Sequence, residues 1–298
     1  MGRKFTVVGL GEVLWDLLPE GKQLGGAPTN FAYISSLLGD RGIVASRVGH
    51  DDLGPEAVQR LKNLGVETSY VQRDDSRPTG TVKVQVDRRG QPRFTIREGV
   101  AWDFLSWSKD WRDLARAADA VCFGTLAQRG PRSRRAIGQF LRATPAVRVF
   151  DVNLRQEFFS ADALRESVAI ATIVKMNQDE LPVVLESLDL EAGQDKSPAK
   201  QLLRFGPKLI CVTRGEKGSL LISGDGAVEH DGFSVRVQDT IGSGDAFTAA
   251  LVHEYLRGAS LARMNDAANR MGSWVATQVG GTPVISREEL RRRLPELR

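Results

Sequence analysis

Short apolar runs alternate along the chain with segments whose apolar positions recur every three to four residues. The apolar runs are rich in Val and Ile, which is typical of strands buried on both faces of a sheet. They cover Thr6–Leu10, Ile43–Val48, Ala120–Phe123, Val147–Val152, Thr172–Met176 and Leu209–Thr213. Helical periodicity covers Thr29–Leu38, Pro55–Leu64, Ser133–Leu141, Ala161–Ala169, Asp179–Leu188, Asp245–Arg257 and Leu261–Val279. This alternation predicts an α/β fold with a mostly parallel sheet covered by helices.

One region does not follow this alternation of buried strands and helices. Thr81–Val86 and Arg93–Arg97 alternate apolar and polar positions, with Asp87–Gly90 between them. The pattern predicts a hairpin with one polar face. Its other face carries Val82 and Val84 and needs a cover. The hairpin is therefore either a lid over a site or an edge through which two copies pair.

Composition narrows the class of protein. The 298 residues suggest one large or two ordinary domains, and 41% hydrophobic residues are enough for a large core. A net charge of +4 is too small to indicate a nucleic-acid partner, and the basic clusters at 129–135 and 291–293 are expected on solvated helix faces. No apolar run approaches the ~18 residues of a spanning helix. The N-terminus lacks the apolar stretch of a secretory signal, so the cytoplasm is the expected location.

Cysteine and histidine offer little chemistry. Cys122 and Cys211 both lie inside apolar runs, which predicts buried free thiols rather than a disulfide or a metal pair. His50, His230 and His253 are scattered without the spacing of zinc ligands. Neither metal-centred nor histidine-based catalysis is expected from them.

The segment Asp239–Phe247, which reads DTIGSGDAF, leads directly into a predicted helix. Gly242 and Gly244 allow backbone N–H groups to turn inward, and the helix start adds about half a positive charge. Together they form a cradle suited to a phosphate. Asp245 faces that cradle and could accept a proton from a hydroxyl that attacks phosphorus; the alternative is a helix cap. Gly9 opens a dinucleotide fingerprint that lacks its third glycine, and there is no Walker A sequence, so ATP would bind without a P-loop.

The stretch Gly25–Ala32, which reads GGAPTNFA, resembles the N-terminal signature of the ribokinase-like (PfkB) carbohydrate kinases, and DTIGSGDAF resembles their C-terminal one. The similarity runs over essentially the whole chain. It implies a single kinase domain over residues 1–298, with helices on both faces of a central sheet. It also implies a small β-lid over the sugar, formed by about residues 12–25 and 78–104. The chain looks most like the fructokinase branch, which uses ATP to phosphorylate a primary hydroxyl of a sugar.

The resemblance also assigns roles by position. Asp245 is the implied base, and the amides of Ile241 through Gly244 are the implied anion hole, which places Gly242, Ser243 and Gly244 in the catalytic site. The implied sugar contacts are Asp16, Gly26, Asn30 and Arg155. For Asp16 the alternative is an ordinary acid in the loop after the first strand. For Arg155 the alternative is a solvated loop, although its place after a buried strand favours a ligand contact.

Nucleotide and ion contacts follow from the same resemblance. Asn177 and Glu180 resemble the element that orients Mg²⁺ and phosphate through water, but they also fit a capping box. The implied nucleotide contacts are Thr213, Gly215, Gly218 and Asn269, the last beside adenine unless it is merely an exposed helical residue. A monovalent cation such as K⁺ would be held by backbone oxygens at Asp239, Ile241, Val275, Gln278 and Gly280.

Several alternatives stay open from sequence. Ribose, ketodeoxygluconate or a nucleoside could replace fructose, whereas a phosphosugar is disfavoured because residues 25–30 contain no Lys or Arg. A different class of function is a sugar- or nucleotide-binding regulator that has lost its chemistry, against which Gly242, Gly244 and Asp245 argue. The expected partner is a small-molecule sugar, with no nucleic acid and no membrane. The resemblance further implies a homodimer formed through the lid.

Overall fold

The structure is a computed structural model that describes residues 3–19, 21–86, 92–190 and 198–297. The side chains of residues 84–86 and 92–94 are outside this description. The strands are β1 (Thr6–Leu10), β2 (Leu14–Leu18), β3 (Gly21–Gly25), β4 (Arg41–Gly49), β5 (Val71–Asp74), β6 (Gly80–Val86), β7 (Pro92–Ile96), β8 (Ala120–Phe123), β9 (Val147–Asp151), β10 (Ile173–Asn177), β11 (Leu209–Thr213), β12 (Ser219–Ser223) and β13 (Gly226–His230). The helices are α1 (Ala27–Leu38), α2 (Leu53–Asn63), α3 (Lys109–Ala117), α4 (Pro131–Ala143), α5 (Ala161–Ile170), α6 (Leu181–Ser187), α7 (Ser243–Tyr255), α8 (Leu261–Ala276) and α9 (Arg287–Arg293).

Nine strands form the central sheet in the order β13-β12-β11-β10-β9-β8-β1-β4-β5. All neighbours from β11 to β5 run parallel, and the pairs β11–β12 and β12–β13 are antiparallel. The predicted, mostly parallel sheet is confirmed. The chain leaves β1 towards β4 on one side and later returns to β8 on the other side. Open α/β sheets place ligands at such a reversal, outside the carboxyl ends of the strands.

The core consists of two apolar clusters, one on each face of this sheet. Neighbouring strand residues point to opposite faces, so Val7 joins one cluster and Val8 joins the other. The cluster containing Val7 packs against α1, α7 and α8, and the cluster containing Val8 packs against α3, α4, α5 and α6. Helices on both faces of the sheet are therefore confirmed. Cys122 and Cys211 are buried free thiols in the first cluster, as predicted.

A second sheet of four strands has the order β3-β2-β6-β7. Both strands of the predicted hairpin are present as the antiparallel pair β6 and β7, while the turn at 87–90 lies outside the described residues. Val82 and Ile96 are buried in the same cluster as Leu14 and Trp102. At Val82, therefore, the chain's own core covers the apolar face of the hairpin.

The structure differs from the sequence prediction at a few element ends and in elements that were not predicted, among them β5 and α9. Helix α8 ends at Ala276 rather than at Val279, because the N–H groups of Thr277 and Gln278 close tight turns onto the carbonyls three residues earlier. Helix α3 and the pair β12–β13 were not predicted; α3 carries five charges in nine residues, which obscure its apolar side. Among the described helices none is long and apolar enough to cross a bilayer.

Candidate active site

The turn before α7 is built around two glycines. Gly242 has a φ of +76°, and a Cβ there would lie 2.3 Å from the Cα of Gly281. A side chain would therefore be strained by the backbone conformation and would collide with the neighbouring loop. A Cβ at Gly244 would lie 3.1 Å from the Nζ of Lys175. The local sequence thus lets two loops and one lysine approach the start of α7 closely.

Only part of the predicted anion hole is free. The amide of Ile241 donates to Asp239 Oδ1 at 2.9 Å, and the amide of Ser243 donates to the carbonyl of Thr240 at 3.2 Å. The amides of Gly242 and Gly244 make no hydrogen bond within the described part of the chain. Of the four amides that the resemblance implies for the hole, those of Gly242 and Gly244 are therefore available to a ligand, because turn hydrogen bonds occupy the other two.

Asp245 is the third residue of α7 and is buried. It does not cap the helix; its Oδ2 accepts a hydrogen bond from Asn30 Nδ2 at 2.8 Å. Burial raises the pKa of Asp245 to about 6, and the charge of Asp151 adds to the rise. The hydrogen bond from Asn30 and the charge of Lys175 act in the opposite direction. The result is a carboxyl that is ionised at neutral pH and still basic enough to take a proton.

The predicted sugar residues come together around a cavity of about 460 Å³ between the four-stranded sheet and the carboxyl ends of the strands of the central sheet. Its lining combines apolar and polar side chains. The apolar lining residues include Leu14, Val82, Ile96 and Leu126, and the predicted polar ones are Asp16, Gly26, Asn30, Arg155 and Asp245. The four predicted sugar contacts and the candidate base thus line one cavity.

Asp16 lies on strand β2 of the four-stranded sheet, so the alternative of an ordinary loop acid is wrong. Burial raises its pKa to about 6, and the charge of Arg155 opposes this rise. Arg155 itself is exposed and lies on the rim of the cavity, so it is both solvated and within electrostatic reach of the cavity carboxyls. The side chain of Asn30 is buried, and its Oδ1 has no hydrogen-bond partner among the described residues. Such an acceptor is suited to a ligand hydroxyl.

Glu12 is a cavity residue that the sequence reasoning missed. It is buried, and its Oε1 accepts a hydrogen bond from the amide of Ala27 at 3.2 Å. Gly26 has a φ of +105°, and a Cβ there would lie 2.5 Å from the carbonyl oxygen of Glu12. Burial raises the pKa of Glu12 to about 7. Its position just after β1, where α/β sheets place ligands, was the available signal.

A second cavity of about 620 Å³ lies on the other side of the same turn. It shares Thr240 and Gly244 with the first cavity. The predicted nucleotide residues that line it are Thr213, Gly215, Gly218 and Asn269. Asn269 is buried and donates from Nδ2 to Ser219 Oγ at 2.8 Å, so the alternative of an exposed helical residue is wrong.

Asn177 and Glu180 form the capping box that the sequence allowed. Asn177 Oδ1 accepts from the amide of Glu180 at 2.8 Å, and Glu180 Oε2 accepts from the amide of Asn177 at 2.8 Å. Glu180 Oε1 accepts from the amide of Leu154 at 2.8 Å, which ties this corner to the loop carrying Arg155. Neither side chain lines either of the two cavities. This geometry therefore gives Asn177 and Glu180 no direct contact with a phosphate in either cavity.

The positions predicted for a monovalent cation come from two loops that the Asp239 carboxylate joins. Its Oδ1 accepts from the amide of Ile241 and its Oδ2 from the amide of Gly280, both at 2.9 Å. At the end of α8 the carbonyl of Val275 accepts from the amide of Gln278 at 2.8 Å. The loops are adjacent to the anion hole, and each carbonyl has a second lone pair for an ion.

Lys175 also lines the first cavity and was not singled out by the sequence reasoning. It is buried in β10, with Nζ 3.0 Å from Asp151 Oδ1. Burial acts to lower its pKa, but the carboxylates of Asp151, Glu180 and Asp245 together raise it above the usual range. The sequence signal for this site was a lysine in the middle of a predicted buried strand, because lysine is almost never buried without a partner.

Comparison with known proteins agrees with this geometry. The model of the pfkB family carbohydrate kinases matches residues 20–287. A fructokinase of Salmonella typhimurium is 31% identical over 256 residues, which cover 82% of each chain. An uncharacterized sugar kinase of Pyrococcus horikoshii is 29% identical over 95% of this chain and 94% of its own length.

Solved structures share the fold. The structure of the Pyrococcus horikoshii sugar kinase in complex with ATP superimposes with a TM-score of 0.82 and 27% identity, over 98% of this chain and 100% of that one. The fructokinase of Vibrio cholerae, solved with fructose, ADP and calcium ion, has a TM-score of 0.78 and 24% identity, over 93% and 94% of the two chains. The chain belongs to the pfkB family of carbohydrate kinases and is an ATP-dependent sugar kinase.

Proposed function

We propose that this kinase transfers the γ-phosphoryl group of ATP to a primary hydroxyl of fructose. The observation that carries the proposal is the pair of cavities that meet at Thr240 and Gly244. A nucleotide in the larger cavity would direct its terminal phosphate over Gly244, towards a sugar in the cavity that contains Asp245. Phosphoryl transfer depends mainly on such positioning and on charge stabilisation.

Asp245 is the proposed base. Its Oδ2 accepts the hydrogen bond from Asn30, and because Asp245 lines the cavity, its other carboxylate oxygen would be available to a sugar hydroxyl. A sugar hydroxyl placed there would lose its proton to Asp245 as its oxygen attacks phosphorus. The amides of Gly242 and Gly244 would donate hydrogen bonds to the phosphoryl oxygens and so stabilise the charge that spreads over them.

The proposed substrate is a neutral sugar. Glu12, Asp16 and Asp245 bring three carboxyl groups to the cavity, and the turn at residues 25–30 has no cation to receive a second phosphate. Carboxylate and amide oxygens accept hydrogen bonds from hydroxyls, whereas they would repel an acid group. The relatives named fructokinase, at about 30% identity, favour a ketohexose among neutral sugars.

Metal ions support the reaction in this proposal. Mg²⁺ would enter with ATP and be held mainly by phosphate oxygens and water, since no group of three or more His, Cys, Asp or Glu side chains that could hold a metal ion occurs among the described residues. Asn177 and Glu180 would reach it only through water, because backbone amides already bind their oxygens. K⁺ is the proposed ion beside the anion hole, where backbone oxygens of the 239–241 and 275–280 segments would hold it.

We also propose a homodimer through the lid, in the cytoplasm where ATP is supplied. Strands β3 and β7 are the edges of the lid sheet, and edge strands offer unpaired backbone groups to a second copy. Light scattering at micromolar concentration measures the mass. Val84→Lys in β6 should shift the mass towards the monomer, whereas Val284→Lys, at a side chain that is 84% exposed, should not. A monomeric, fully active wild-type chain would contradict the dimer.

A coupled assay of ADP release tests the substrate. The panel contains fructose, ribose, 2-keto-3-deoxygluconate, a nucleoside and a blank without sugar. We expect kcat/KM for fructose to exceed that of every other sugar by at least about tenfold, the scale of a few lost hydrogen bonds. A higher value for another sugar would replace fructose, and no release above the blank with any of them would contradict the sugar class.

A further inference from the structure

Lys175 is a buried cation to which the proposed reaction assigns no role. It is 7% exposed, yet it lines the sugar cavity beside the turn that precedes α7. Its ammonium nitrogen lies so close to Gly244 that a Cβ on this glycine would be 3.1 Å away. Gly244 borders both cavities, so Lys175 lies where the terminal phosphate of ATP would meet the sugar.

Asp151 and Thr248 fix the direction of this ammonium group. Nζ lies 3.0 Å from Oδ1 and 3.2 Å from Oδ2 of Asp151, which is itself buried. The Thr248 hydroxyl lies 2.9 Å from Asp151 Oδ2 and also 2.9 Å from the carbonyl oxygen of Gly244, and it donates to one of them at a time. The lysine, its counter-ion and the anion-hole turn are therefore linked through buried groups.

The ammonium group keeps donor capacity for a ligand. It has three protons, and within the described residues Asp151 alone accepts hydrogen bonds from it, at two oxygens. At least one proton is left over in a group that borders the cavity. A lysine needed only as the counter-ion of Asp151 would not have to reach the wall of the sugar cavity.

The charges around the cavity give a second reason to expect a ligand contact at Lys175. Glu12, Asp16 and Asp245 line this cavity, and Asp151 lies just behind it. These carboxyl groups would repel an arriving terminal phosphate, and Arg155, a second cation on the lining, is exposed on the rim, where water and salt screen its charge. Two backbone amides alone carry partial charges, whereas an adjacent ammonium supplies a full one in a site that water screens poorly.

We propose that Lys175 is a catalytic residue that contacts the phosphoryl group during its transfer, with Asp151 and Thr248 as positioning residues. In this step the sugar oxygen forms a bond to the γ-phosphorus, and the bond from this phosphorus to the bridging oxygen of ADP breaks. The electron pair of the broken bond leaves with ADP, and the hydroxyl proton goes to Asp245. Lys175 keeps its protons throughout and stabilises the charge on the transferring group. The inference rests on the proposed role of Asp245 and the Gly242–Gly244 hole.

The test separates Lys175 from its counter-ion. Lys175→Met alone would leave Asp151 buried and unpaired, so the informative variant is Lys175→Met combined with Asp151→Asn, which removes both charges. We expect this double variant to bind ATP and sugar within about threefold of wild type but to lose at least ~10²-fold in kcat, the scale of one lost oxyanion donor. Asp151→Asn alone, which retains the cation, should lose no more than about tenfold. A double variant within about fivefold of wild-type kcat would reduce Lys175 to a counter-ion.

A binding measurement gives a readout besides turnover. ADP with aluminium fluoride mimics the transferring phosphoryl group, and titration calorimetry measures its affinity beside that of ADP alone. The double variant should bind the mimic at least ~30-fold more weakly and ADP unchanged, because the lost contact exists only at that group. Equal weakening of both ligands would overturn the proposal.

Lys175→Arg covers the case in which the double variant does not fold. It keeps the charge, so its kcat should exceed that of Lys175→Met by at least tenfold, and equal values would also overturn the proposal. Lys208→Met, at an exposed lysine before β11, is the matched control and should behave like wild type. If fructose is not the substrate, wild type itself shows no turnover with it, while the comparison of the mimic with ADP can still be made.

Discussion

Replacing Asp245 by asparagine separates its chemistry from its place in the fold. The amide has the shape of the carboxylate, and its oxygen can still accept the hydrogen bond from Asn30, which spans 2.8 Å in the wild-type structure. Only the proton acceptor is lost. We expect turnover to fall by ~10²–10⁴, which corresponds to about 3–5 kcal/mol in activation free energy. Binding of ATP and sugar should change much less.

The same change should stabilise the protein at neutral and alkaline pH. Burial raises the pKa of Asp245 to about 6 from an ordinary value of 3.8, so folding favours its protonated form. Its favourable contribution is complete below about pH 4 and is lost as the pH rises through about 6. At 1.36 kcal/mol per pH unit, ionised Asp245 costs up to about 3 kcal/mol, which asparagine avoids. The variant should therefore unfold at higher denaturant than wild type at pH 8, and the gap should shrink towards pH 4.

Two measurements on one preparation check this prediction: ADP release at saturating substrates, and urea unfolding at pH 8 and pH 5. Asp162→Asn is the matched control, since Asp162 is an exposed acid in the first turn of α5 and should leave turnover unchanged. Near-normal turnover in Asp245→Asn would refute the role as base. Parallel losses of turnover and stability would instead indicate a structural role.

Three further predictions concern the same cavity. For wild type, kcat/KM for the sugar should fall below about pH 6, because Asp245 and Asp16 both have raised pKa values near 6 and bind protons there; a rate that rises from pH 7 to pH 5 would contradict this. Gly244→Val should lower kcat by ~10²–10³, because it places a side chain 3.1 Å or less from Lys175 Nζ and over the anion hole. Gly224→Val is the control and should leave kcat unchanged, because a Cβ there meets nothing within 4 Å. Asp16→Ala should raise the sugar KM by ~10–100-fold through the loss of a charged hydrogen bond and leave the ATP KM alone; an unchanged sugar KM would remove Asp16 from the sugar site.

The sequence pattern was sufficient to predict most of the central sheet and the helices that cover it. Strands β1, β8 and β11 begin and end at the predicted residues, because buried parallel strands are continuous apolar runs with sharp ends. The glycine-rich turn before α7 could be located because only glycine tolerates a φ of +76° next to another backbone. Local chemistry of this kind is visible in a single sequence.

What could not be predicted depends on contacts between distant segments. Asn269 reads as an ordinary helical residue until β12 brings Ser219 to 2.8 Å from its amide nitrogen. Asp16 reads as a loop acid because β2 pairs in parallel with β6, some 65 residues later in the chain, and that pairing is not visible in the local sequence. The amides of Ile241 and Ser243 look free in sequence, and only the folded turn shows that Asp239 and Thr240 accept from them.

A crystal structure with fructose and a non-hydrolysable ATP analogue tests the central claim most directly. We predict that a primary hydroxyl oxygen of fructose lies about 2.6–3.2 Å from the free carboxylate oxygen of Asp245. The terminal phosphate should lie about 2.7–3.1 Å from the amides of Gly242 and Gly244. A sugar whose primary hydroxyl points away from Asp245, or a terminal phosphate bound away from this turn, would contradict the proposed reaction.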